Sequence, residues 1–155
     1  MATASVELIK ALRDTSKRIG GNRSNYDWKN IGACNCGNLV QIVTGHEKKQ
    51  IHQHGIQKHG DWEMLVYLYN DNGKYEIDKI IKALLDLGFS LDDIVNLENL
   101  SDPEILARVP GNKRFLKRDA REDVILYLET WANMLEARLI SEITSERQSL
   151  SQVMV

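Results

Sequence analysis

The sequence predicts an all-α fold, a single compact domain of six to eight helices that closes on a long C-terminal helix. Three observations point there. Apolar residues recur at three- and four-residue spacing along most of the chain, helix-capping residues punctuate those stretches, and no partner strand is apparent for the one apolar run of strand-like character. The only prolines, Pro103 and Pro110, come late, so nothing interrupts helices before them.

The first helix is expected over residues 5–19, where Val6, Ile9, Leu12 and Ile19 share a face and Lys10–Asp14 can pair one turn apart. Gly20-Gly21 should end it in a left-handed cap. NRSNYDWKN then reads as a loop. A short helix fits residues 36–43 through Cys36, Leu39, Val40 and Val43. Thr44 and Glu47 have the spacing of a capping box for a second helix running to about Gln57. WEMLVYLY, residues 62–69, is read as helix, although its apolar run would also suit a strand.

Residues 77–87 carry a clean stripe of Ile77, Ile80, Ile81, Leu84 and Leu85 before the cap at Gly88. Ser90 with Asp93, and Ser101 with Glu104, announce two further short helices. The last helix is expected over 120–141 with Asp119 as its N-cap, burying Val124, Leu128, Trp131, Leu135 and Leu139 against helices 5–19 and 77–87. The domain is therefore drawn as residues 1–141, with 142–155 as a frayed tail. The corner LLDLGFSLDDIVNL, residues 84–97, resembles a stretch of the mercury-resistance-type transcription regulators. The winged segment that reads DNA in that family has no counterpart here, so DNA binding is not carried over.

At 155 residues, 43% of them hydrophobic and 27% charged, the chain is long and apolar enough to fold around one core without disulfide or metal. The opening residues carry Glu7, Lys10 and Asp14 where a signal peptide needs an apolar run, and MLVYLY falls far short of the ~20 residues that span a bilayer. Membrane insertion is not expected. Cys34 and Cys36 are spaced poorly for a structural disulfide and fit a reducing cytoplasm. The net charge of −2 is unevenly spread: residues 61–104 hold eleven acidic side chains against three basic ones.

Chemistry concentrates in residues 26–62, which hold both cysteines, all four histidines and two of the three tryptophans. With Asn35 as N-cap, Cys36 would sit in a first helical turn, where free amides and the helix dipole favour a thiolate. Gly32 and Gly37 would leave the backbone open to an anion or oxyanion. A helical hairpin turning at Gly45-His46 brings His52 and His54 back toward Cys36, with His52 on the face of Ile56 as candidate base. Cys36 and His52 are thus the candidate catalytic pair, and Tyr26, Trp28, Cys34, Asn35, His54 and Trp62 the candidate ligand-binding residues. The competing reading makes Cys36 a core residue.

No metal site is expected, because no two of the four histidines lie three or four residues apart and Cys-x-Cys lacks knuckle spacing. No nucleotide, redox or serine-hydrolase motif is present, so no cofactor is expected. The basic linker of Lys113, Arg114, Lys117, Arg118 and Arg121 is too small a patch at a sequence pI of about 6.1 to indicate nucleic acid. Two functions remain: a binding or regulatory module for a protein or small-molecule partner, and a thiol-dependent enzyme.

Overall fold

The computed structural model describes residues 1–112 and 115–153. Among these it is all-α, with eight α-helices and no strand. The helices are α1 (Val6–Gly21), α2 (Asn35–Thr44), α3 (Lys48–Lys58), α4 (Trp62–Tyr67), α5 (Glu76–Leu87), α6 (Leu91–Asn99), α7 (Pro103–Leu106) and α8 (Arg121–Val153), with short 3-10 turns at Arg23–Asn25 and Pro110–Asn112. The ambiguous run at 62–69 is helical over Trp62–Tyr67, started by the Asp61 carboxylate accepting from the Glu63 amide.

Several helix ends differ from expectation by a residue or two, each for a local reason. Gly20 and Gly21 stay helical, and Asn22 follows in extended backbone. The orphan carbonyls of Ile19 and Gly20 are met by the Arg121 guanidinium, so a side chain from α8 replaces the left-handed cap. The capping box of α3 is formed by Glu47 and Gln50, while the Thr44 hydroxyl donates back to the Val40 carbonyl. Asp102, not Ser101, caps α7, with Pro103 in the first turn. Asp119 misses the start of α8, where the Ala120 carbonyl takes the first helical bond from Val124. The Ser90–Asp93 box is present as expected.

The longest departure is at the end of α8. Residues 142–153, expected to fray, continue the helix, and every side chain from 141 to 153 is exposed. The loss of an apolar stripe does not stop a helix, because extending a formed helix costs far less than nucleating one. No Gly or Pro breaks the segment.

Packing follows from the stripes. α1 lies antiparallel along α8, fixed by Ser16–Glu129 and by Arg13 donating to Glu136 and Asn133. The α5 stripe packs chiefly on α2 and α3 rather than on α8. Phe89, just beyond its cap, reaches Trp131 of α8 edge-on at 5.5 Å. α2 sits at the centre, touching α1, α3, α5 and α6, and residues Asn35 to Gln41 are all buried. A helix surrounded on every side needs its polar groups satisfied internally, and that requirement shapes the site below.

Candidate functional site

Residues 26–34 form a loop pressed between α2, α3 and α4. Its buried backbone needs partners, and neighbouring side chains supply them. Asn38 donates to the carbonyls of Ala33 (2.7 Å) and Cys34 (3.0 Å), Gln41 to that of Gly32, and the Trp62 indole N–H to that of Ile31 (2.9 Å). The Ile31 amide in turn donates to Nδ1 of His52 at 3.1 Å. His52 is thereby a loop anchor, with Nδ1 spent as an acceptor. Gly32 and Gly37 serve close packing: a Cβ on either would meet backbone, Lys48 O at 2.0 Å or Ile31 O at 2.2 Å. The expected openness to a ligand there is corrected by this contact of backbone on backbone.

Cys34 is the cap residue of α2, so the helix begins one position earlier than expected, at Asn35. Asn35 is fully buried and saturated. Its amide donates to the carbonyls of Leu97, Glu98 and Arg118, while its oxygen accepts from the Tyr26 hydroxyl at 2.8 Å. These bonds tie the start of α2 to the end of α6 and to the segment entering α8. α6 closes at Leu100 in the left-handed region, φ 50°, a conformation held by burial of its side chain.

The anion at the head of α2 is internal. Glu98 of α6 extends its carboxylate to the Cys36 amide (Oε1, 3.3 Å), and the Cys34 thiol donates to Oε2 at 3.2 Å. Glu98 is 9% exposed and has no ion-pair partner among the described residues. Burial pushes its carboxyl up to about 7, against the opposing pull of the Cys34 thiol and Cys36 amide. The same burial, aided by the Glu98 charge, drives both thiols well above the ordinary range. Cys36 donates its thiol proton to the Ile94 carbonyl at 3.1 Å and is wholly enclosed.

Above Glu98 opens a cleft of about 510 Å³. Its floor is Ile31, Cys34, Trp62 and Glu98, all buried; its side is the half-buried Trp28; its rim carries Lys29, Asp61, Glu63, Asn99 and Arg118. Arg118 bonds the Asn99 side chain at 2.9 Å and lays its guanidinium 5.4 Å from the centre of the Trp28 ring.

Of the residues singled out from sequence, the cleft gathers Trp28, Cys34 and Trp62, while Tyr26 and Asn35 brace it from behind. Cys36 lies beneath it, out of reach of solvent. His52 and His54 do not line it. His52 turns toward the loop, but Ile56, expected on the same inward face, is 53% exposed, and Gly55 packs against Ile31. His54 instead meets His46 edge-on, ring centres 6.2 Å apart. Among the described residues no three His, Cys, Asp or Glu side chains are grouped to hold a metal ion.

Glu98 and Asn99 were not among the residues singled out from sequence, and Arg118 was read only as part of the basic linker. One signal was available: Glu98 stands one turn after Ile94 on the buried face of α6, an acidic residue in an apolar stripe. In the basic linker, Lys113 and Arg114 lie outside the described residues. Arg118 and Arg121 are engaged with Trp28 and the end of α1, and Phe115 is 93% exposed. Among the described residues no helix is long and apolar enough to cross a membrane. No protein-family model, curated protein or solved structure matches the chain.

Proposed function

We propose that the protein is a small-molecule-binding module whose site is the cleft over Glu98. The observation that carries this reading is the buried carboxyl at the cleft floor, which has no basic partner among the described residues. A structural carboxylate is ordinarily exposed or paired, because burying its charge alone is costly. A shifted acid in a concave, partly aromatic site is the usual mark of a place that binds or reacts. Two free thiols, both shielded, support a reducing cytoplasm as the setting.

The thiol-enzyme alternative has less support. Its nucleophile would be Cys36, sealed and raised in pKa, and its base His52, whose Nδ1 already holds the Ile31 amide.

The test is a fragment set of neutral, cationic and anionic aromatic compounds, read by amide and indole chemical shifts. Binders should move the Trp28 indole together with the amides of Asn99 and Arg118. If no compound moves them, or all shifts fall on another face, the cleft is not the site.

A further inference from the structure

The cleft also carries information about what fits it. Resting on the binding reading above, we propose that its ligand is an organic cation, an ammonium or amidinium group on an apolar or aromatic body, with the charged end on the Glu98 carboxylate.

The carboxylate has room for such a group. A carboxylate offers about four acceptor positions, and the Cys34 thiol and Cys36 amide occupy two of them. No lysine, arginine or histidine takes the rest among the described residues, so the charge is left to be matched from the cleft side. Adding N⁺–H donors there would form charge-assisted bonds in a place already shielded from water, where they are strongest. An anionic ligand would meet a like charge at the floor, and a neutral one would leave Glu98 without a counter-charge.

The apolar lining suits the body of the same ligand. Trp62 spends its indole N–H on the Ile31 carbonyl and so has only apolar surface left to offer, beside Ile31 itself. Trp28 already shows what its face attracts, since the Arg118 guanidinium lies over it. Arg118 is exposed and held at its head by one bond to Asn99, so it is a built-in competitor that an incoming cation displaces. At the rim, Asp61 and Glu63 favour positive charge while Lys29 opposes it.

The experiment compares 2-phenylethylamine, 2-phenylethanol and 3-phenylpropionate, three probes of similar shape and different charge, by calorimetry and tryptophan fluorescence at pH 8. The amine should bind at least about tenfold more tightly than the other two, the worth of one charge-assisted hydrogen bond. Its affinity should fall by about the same factor between pH 8 and pH 5, as the carboxylate takes up a proton. Glu98→Gln should abolish the preference for amine over alcohol. Arg118→Gln, which frees the Trp28 face without touching the core, should tighten the amine and keeps the test open if the Glu98 variant misfolds. Alcohol or propionate binding as tightly as the amine would overturn the cation class while leaving the cleft as a binding site. An amine preference that survives Glu98→Gln, or that ignores pH, would overturn the proposal as well. If none of the three binds and the fragment set also leaves the cleft unmoved, the binding reading falls with it.

Discussion

Glu98 contributes to stability in an unusual direction. Its carboxyl is raised from 4.5 to about 7 on folding, so between those values the folded chain keeps a proton that the unfolded chain has released. Stability should therefore fall as pH rises through this window, by roughly 3 kcal/mol in all. Denaturant melts of the wild type at pH 5 and pH 8 should show that loss, and Glu98→Gln should remove it. A flat wild-type profile would mean that the carboxyl is solvated or paired. The thiols give a second check at the same scale. Cys34 and Cys36 are 2% and 0% exposed and held as thiols, so both should resist a thiol reagent at neutral pH until the chain unfolds. Prompt labelling of one thiol in the native state would revive the nucleophile reading. Spacing placed Cys36 near the head of α2 but not on which side its sulfur lay, and the difference between reactive and inert cysteine rests on that.

At the scale of elements, stripes were readable and contacts between stripes were not. The faces of α1, α5 and α8 follow directly from apolar spacing. The α5 stripe nevertheless turned out to face α2 and α3, because spacing gives a helix its buried side without naming the neighbour. Caps were legible to within a residue or two, and the differences came from partners distant in sequence, such as Arg121 at the end of α1. Asn35 illustrates the same limit: in sequence it is a helix start, and in the fold it is the joint between three segments. Asn35→Ala should cost roughly 3 kcal/mol, since the buried carbonyls of Leu97 and Glu98 lose their donor. A midpoint within error of wild type would show that water replaces the amide. The free end of α8 predicts the opposite. Truncation after Ile143 should leave the thermal midpoint unchanged, because the side chains of residues 144–153 are exposed, and a drop of several degrees would mean that the segment is covered in solution.

For the whole molecule, composition and periodicity were enough for the fold class, the helix number and the long last helix. Residues 26–62, singled out from sequence, supply much of the cleft. The rest comes mainly from Glu98 and Asn99, in what read as scaffold, and from Arg118 of the basic linker, all remote in sequence. Of the histidines, the most conspicuous residues of the segment, His52 holds the loop and His46 and His54 meet each other. The core should behave as one unit: Trp131, 1% exposed and in contact with Phe89 and Tyr127, should cost roughly 3–5 kcal/mol when replaced by Ala. Binding in the cleft turns on a single group, so the most direct measurement is the titration of the Glu98 side-chain carboxyl, followed by carbon NMR and assigned through the Glu98→Gln variant. The expected midpoint is near 7 in the free protein, moving downward when 2-phenylethylamine saturates the cleft. A midpoint in the ordinary carboxylate range, unmoved by the amine, would contradict it.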